Sequence, residues 1–287
     1  MAESEMTTAS FRRVVWAHYK KMGRHDLPWR QTHDVYNILV SEIMLQQTQV
    51  ERVIPFYTKF IKQFGSAKKL AAAPLSDVLK AWQGLGYNRR AKMLHSAAKE
   101  LAKTRFDLTS ESSRSNLVSQ LESLSGVGPY TARAVAAFAC NADVIVIETN
   151  IRTAIIHHFF SKKKKVSDKE IEKVLKRAAP DVALAKSGEW YSALMDYGAH
   201  LKRSGISHNA KSKTYAKQST FAGSLRQARG AILREYTKGI TSRARLVSLL
   251  GPSRKAQMKQ ALEALTREEL VSGNLVSEAS SRRRRGA

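Results

Sequence analysis

The chain has 287 residues and carries 49 Lys and Arg against 24 Asp and Glu, a net charge of +25. That length holds one large or two medium domains with real cores, and so large a cation excess points to a polyanionic partner, nucleic acid first. A single cysteine, Cys140, excludes intramolecular disulfides and a four-cysteine metal or cluster site, and no apolar run approaches a membrane-spanning length.

Residues 1–10 are polar, which argues against a secretory leader, so a cytosolic, nucleoid-associated location is expected. Phe11, Val14, Val15, Trp16 and Tyr19 recur at helical spacing and predict an amphipathic helix over 11–22. Pro28 interrupts it and leaves Leu27, Trp29 and Arg30 on an ordered loop.

Residues 35–49 read as a largely buried helix with Glu42 in its middle. The neighbours of Glu42 three and four residues away are Ile38, Leu39, Leu45 and Gln46. A carboxyl on such a face is desolvated and its pKa rises; a charge on a solvated side is the bland alternative, which the apolar neighbours disfavour. The polar cluster Gln46 to Gln49 suits entry into a groove or a solvated helix end.

Four short helices are expected over 53–64, 67–73, 75–82 and 91–103. Gly84 to Arg90 is a glycine loop carrying Tyr87, Asn88 and Arg89, and an aromatic beside arginines suits stacking and phosphate contact. As a bare turn it would be unremarkable.

The stretch from Leu124 to Ile155 is the most informative. Gly126-Val127-Gly128-Pro129 forms a tight turn, and residues 130–140 form a small-residue apolar helix in which Cys140 reads as a core residue. An apolar run over 144–147 ends in Glu148-Thr149-Asn150, where another helix starts. Two helices joined by Gly-x-Gly expose backbone N–H groups to a phosphate. The result is a nucleic-acid backbone grip beside a carboxylate and an amide.

Beyond a basic break at Lys162 to Lys165, helices are expected near 167–179 and 189–202, then a polar stretch to 220. Phe221 to Gly230 leads into a further helix. Residues 245–276 read as helix, Gly-Pro turn, helix and a small β-hairpin over Leu270 to Val276, and Arg282 to Arg285 form a disordered basic tail.

These motifs together identify a family. Leu27-Pro28-Trp29-Arg30, Ser41-Glu42-Ile43-Met44-Leu45-Gln46-Gln47-Thr48-Gln49-Val50, Gly84-Leu85-Gly86-Tyr87 and Gly126-Val127-Gly128-Pro129-Tyr130-Thr131-Ala132 resemble helix-hairpin-helix (HhH-GPD) DNA glycosylases, closest to the MutY-type adenine DNA glycosylases. The resemblance covers roughly 10–200, and the ordered run is far more specific than any single motif.

It implies an all-α, bilobal fold with a small C-terminal winged-helix-like unit. The expected boundaries are 9–34 with 150–235 for one lobe, 35–149 for a six-helix barrel module with the hairpin, 236–279 for the C-terminal unit and 280–287 for the tail. The implied catalytic set is Glu42, which protonates the departing base, with Glu148, Tyr130 and Asn150. Gln47 and Tyr87 match residues that wedge into the duplex when the target nucleotide flips out. Asn88, Arg89, Gly126, Val127 and Gly128 complete the DNA contacts, and Leu27, Trp29, Arg30 and Ser192 are the base-recognition positions.

Three departures stand out. Glu148 replaces a family aspartate, which keeps the charge and adds a methylene. Lys202, Asn209, Ser212 and Gln218 stand at the family's iron–sulfur cysteines, so neither a cluster nor any other metal or cofactor is expected. The family's 8-oxoguanine-reading C-terminal domain is expected to be absent, with about fifty small, basic residues in its place. Tyr130 stands where lyase members have a Schiff-base lysine, so the expected activity is monofunctional, on a monomer acting on double-stranded DNA and no membrane. Adenine opposite guanine or 8-oxoguanine is the expected target. A uracil or thymine mismatch glycosylase, and a non-catalytic lesion binder, are the alternatives.

Overall fold

A computed structural model describes residues 6–104, 111–180, 186–213, 220–272 and 275. In chain order the helices are α1 (Thr8–Met22), α2 (Val35–Leu45), α3 (Val50–Gln63), α4 (Ala67–Ala72), α5 (Leu75–Ala81), α6 (Arg89–Leu101), α7 (Glu111–Glu122), α8 (Pro129–Cys140), α9 (Thr149–Phe159), α10 (Asp168–Ala178), α11 (Ser187–Arg203), α12 (Leu225–Tyr236), α13 (Arg243–Ser248) and α14 (Lys255–Arg267). Among the described residues the fold is all-α, and the nearest thing to a strand is an isolated parallel bridge between Val166 and Ser212.

The chain divides into two compact units. One comprises Met1–Glu42 with Thr104–Lys217, the other Ile43–Lys103 with Gln218–Ala287. These boundaries differ from the expected lobes: the hairpin and α8 group with α9–α11, and the C-terminal helices group with α3–α6.

In the first unit, Thr7 caps α1 by accepting from the Ser10 N–H at 3.1 Å, and Phe11, Val15 and Tyr19 turn one stripe into the core. Ser167 and Glu170 close a capping box on α10. Helix α8 buries Ala132, Ala134, Ala136 and Ala137, small residues that let neighbouring helices come close. At Gly188 of α11 an added Cβ would lie 2.8 Å from the Ala137 carbonyl oxygen. The segment after α11 is tied back by Val166 N–H to Lys211 O (2.9 Å), Lys165 Nζ to Ala210 O (3.0 Å) and stacking of His208 on His157.

In the second unit, Phe60 packs edge-on to Trp82, with ring centroids 5.9 Å apart. Helix α14 packs on α12 and α13. Arg229 of α12 donates twice to Glu268 (3.0 and 2.6 Å), and Lys92 of α6 reaches the Glu268 carbonyl oxygen at 2.7 Å. These links attach the C-terminal helices to α6, so the described part of 236–279 does not stand apart. The expected hairpin over 270–276 falls partly on 273–274 and 276, which with the arginine tail lie outside the described residues.

Two local expectations are corrected. Helix α2 stops at Leu45 rather than 49, because the buried Arg90 guanidinium takes the carbonyls of Ile43, Met44 and Gln46 at 2.8, 3.0 and 2.6 Å. Cys140, read as a core residue, is half-buried at the last turn of α8, where Asn141 ends the helix in a left-handed conformation.

Candidate active site

Helices α2 and α8, with α9 and its N-cap, carry the four residues of the expected catalytic set, and all four lie in the first unit. Glu42 is only 7% exposed. Burial pushes its carboxyl up to about 7; the Tyr130 hydroxyl within hydrogen-bonding reach opposes that rise, and the negative charge of Glu148 adds to it. Such a group is an acid at neutral pH while remaining able to release its proton.

Tyr130 sits in the first turn of α8. The residue exposes 36% of its surface, yet its hydroxyl end is desolvated, which together with Glu42 and Glu148 holds the phenol well above 10. It is a neutral donor and has no amine chemistry.

Glu148 is the N-cap of α9. Its Oε1 accepts from the N–H groups of Asn150 and Ile151, both at 2.8 Å, and Oε2 accepts from the Thr149 hydroxyl at 3.1 Å. The helix N-terminus thus favours and orients the carboxylate. Asn150 Oδ1 accepts from Lys202 Nζ of α11 at 2.7 Å. Burial lowers the Lys202 ammonium, and Glu148 partly offsets that.

The hairpin turn precedes α8. Gly126 has φ of 78°, in the left-handed region, and Val127 is buried with its N–H on the Leu124 carbonyl oxygen at 3.0 Å. Nothing lies within 4 Å of a Cβ placed on Gly128, so that backbone is open to a close-approaching group.

The expected base-recognition positions are largely enclosed. Leu27 and Trp29 are buried, as is Ser192. Arg30 is committed to Asp196, donating Nη1 to Oδ2 at 2.7 Å and Nη2 to Oδ1 at 3.0 Å. Arg24 adds its backbone N–H (2.8 Å) and Nε (2.7 Å) to the same carboxylate. Burial alone would raise the Asp196 carboxyl; the two arginines outweigh it and hold it below its ordinary value. Sequence reasoning missed Asp196 and Lys202. A carboxylate three residues from Ala193 and from Ala199 in a largely apolar helix was the available signal for the first.

In the second unit, a cavity of about 820 Å³ is lined by the Gln46–Gln49 turn, the Gly84–Arg90 loop and α12. Gln47 (φ 55°) and Tyr87 (φ 49°) both hold left-handed backbones there, a strain that concentrates at functional sites. Arg90 braces the two loops together, reaching Gln46 O at 2.6 Å and Gly86 O at 3.2 Å. Arg226 of α12 donates to the Tyr87 hydroxyl at 2.8 Å and lies over its ring. Asn88 and the exposed Arg89 complete that wall.

The donor set at the family's cluster positions does not fit iron and sulfur. Lys202 is bonded to Asn150, Asn209 Oδ1 accepts from Thr153 at 3.3 Å and Ser212 bridges to Val166, while the single cysteine lies on α8; Gln218 is outside the described residues. Among the described residues no group of His, Cys, Asp and Glu could hold a metal ion, and no helix is long and apolar enough to cross a membrane.

A helical fold with a Gly-x-Gly hairpin turn, a buried carboxyl raised to about 7, a phenol and a capped second carboxylate defines a class, the helix-hairpin-helix DNA glycosylases. Residues 40–180 match the HhH-GPD superfamily base excision DNA repair protein family. The adenine DNA glycosylase of Mycolicibacterium smegmatis is 37% identical over 271 residues, covering 87% of this chain and 88% of that one. The adenine DNA glycosylase of Buchnera aphidicola subsp. Baizongia pistaciae is 35% identical over 195 residues, covering 68% of this chain and 53% of its own length. Among solved structures, a thermostable thymine-DNA glycosylase matches with a TM-score of 0.54 at 23% identity, over 67% of this chain and 86% of that one. An endonuclease III trapped as a covalent DNA intermediate matches with a TM-score of 0.52 at 17% identity, over 69% and 87%. The chain belongs to the HhH-GPD superfamily of base excision repair glycosylases, with adenine DNA glycosylases of the MutY type among its homologues.

Proposed function

We propose that this chain is a monofunctional glycosylase that hydrolyses the N-glycosidic bond of a base flipped out of duplex DNA, the target being adenine opposite guanine or 8-oxoguanine. The observation that carries this reading is the Glu42 carboxyl, buried and pushed up to about 7 beside Tyr130 and Glu148. Glu42 protonates a ring nitrogen of the departing purine as the bond to the sugar breaks. Glu148, fixed by the α9 N-terminus, stabilises the positive charge left on the sugar. Water then adds to that carbon and its proton returns to the carboxylate. The products are a free base and an abasic site.

Tyr130 supports the acid and cannot form a Schiff base, so the reaction stops at the abasic site. The Gly126–Gly128 turn grips a phosphate. Gln47 and Tyr87 fill the gap in the stack, with Asn88 and Arg89 on the backbone nearby. Leu27, Trp29 and Arg30 shape the base pocket through the fixed Arg30–Asp196 pair rather than by direct donation, and Ser192 lies on the same helix face. The adenine assignment follows from the relatives' names and their coverage of this chain.

The test is incubation with duplexes bearing single adenine mismatches, uracil, thymine opposite guanine, or alkylated bases, with and without alkali. Alkali-dependent cleavage at adenine opposite guanine or 8-oxoguanine supports the reading. Cleavage only at uracil or thymine replaces the substrate, and cleavage without alkali overturns the monofunctional assignment. Binding without cleavage of any duplex leaves a lesion binder.

A further inference from the structure

We infer that Lys202 is a positioning residue for catalysis, holding the Asn150 carboxamide in one orientation beside Glu148; this rests on the roles proposed above for Asn150 and Glu148. Lys202 Nζ donates to Asn150 Oδ1 at 2.7 Å. An asparagine side chain can present its oxygen or its NH2 to a given partner with little change of shape. A cation, which can only donate, selects the oxygen for itself and turns the NH2 donors the other way. Asn150 therefore presents donors, not an acceptor, to whatever else it meets.

The reach of Lys202 is built into the fold. Gly198 lies one helical turn before it on α11, and a Cβ at Gly198 would sit 2.0 Å from the Asn150 carbonyl oxygen. Backbone thus meets backbone at that crossing, and the next turn delivers the ammonium to Asn150. The first turn of α9 is then held from two sides. Glu148 Oε1 takes the backbone N–H of Asn150 at 2.8 Å, while Lys202 takes its side-chain oxygen. Lys202 is half-buried, so solvent dilutes this interaction less than it would a surface lysine's. The electrostatic attraction of Glu148 for the same ammonium ties the cap, the amide and the lysine into one unit.

The test is a double-mutant cycle in the full chain, read by single-turnover excision, duplex affinity and thermal melting. Lys202→Met is expected to slow excision by about 10- to 100-fold, the scale of a misplacement near an ångström, with duplex Kd and Tm near the parent's. Asn150→Ala is expected to slow it comparably, and the double variant to be no slower than Asn150→Ala alone. Lys202→Gln keeps an N–H donor, and its expected partial rescue holds even where Lys202→Met melts early. Multiplying losses in the double variant overturn the inference, as does a Lys202→Met enzyme at the parental rate while Asn150→Ala is slow. An Asn150→Ala enzyme at the parental rate overturns the role of Asn150 as well.

Discussion

The α-carbon of Gly198 lies against the backbone of Asn150, so that a Cβ at 198 would fall 2.0 Å from the Asn150 carbonyl oxygen and 2.9 Å from its Cα. No side chain can relieve that contact, since both partners are main chain. Gly198→Ala must push α11 off the first turn of α9. A Tm lower by roughly 5–10 °C is expected, from overpacking on the order of 1–3 kcal/mol or more. Excision should fall further than folding does, because the displaced turn carries Glu148 and Asn150. A melting curve and rate equal to the parent's would contradict this.

Excision should depend on pH through Glu42. In the proposed reaction its protonated form is the active one and its carboxyl sits at about 7, so the rate under kcat/KM conditions is expected to be flat below that pH and to fall about tenfold per unit well above it. A Glu148→Gln variant removes the neighbouring negative charge, which lowers the Glu42 pKa and moves the falling limb to lower pH. A rate profile rising through pH 7 would exclude Glu42 as the acid.

Glu148→Asp is expected to retain or raise activity. Aspartate is a strong N-cap, so the Asn150 and Ile151 N–H groups keep an acceptor and the negative charge remains. Glu148→Ala loses both, and should cost about 1 kcal/mol of stability as well as most of the rate. A complete loss of excision in Glu148→Asp would mean that the pocket is built around the longer side chain.

Acid should weaken the first unit through His158. Burial pushes its imidazole down to about 4 from 6.5, with His157 adding to the fall, while its Nε2 lies 2.7 Å from the Tyr197 hydroxyl. The unfolded chain therefore binds a proton between those two values that the folded chain refuses, so stability is full above about 6.5 and falls as the pH drops towards 4. Glu42 acts in the opposite sense, losing stability as the pH rises from 4.5 through 7. Urea melts of His158→Gln should show a shallower loss on the acid side than the parent. An equal slope would remove His158 from the account.

Much of this site was legible from residue order alone. Glu42 shows in the sequence because its helix surrounds it with apolar neighbours, and the hairpin because Gly126 and Gly128 bracket one residue before a helix-starting proline. Helix positions followed from apolar spacing. The long-range polar contacts did not. Arg30 read as a base-recognition position, and only the fold brings it to Asp196; Lys202 read as standing at a cluster cysteine's position, and only the crossing at Gly198 brings it to Asn150. The end of α2 was misplaced for the same reason. Arg90 supplies side-chain donors to carbonyls that local periodicity assigns to further helical turns. The left-handed backbones of Gln47 and Tyr87 carry no sequence signal, since neither residue favours that region.

The central claim, that a buried neutral Glu42 protonates the departing base, is tested most directly by one comparison. Single-turnover release of adenine from an adenine–8-oxoguanine duplex is measured for the parent and for Glu42→Gln, with duplex affinity measured alongside. The account predicts loss of release by at least about 10²-fold, as for removal of a general acid, with affinity within a few-fold of the parent's. Release by Glu42→Gln at the parental rate would contradict it.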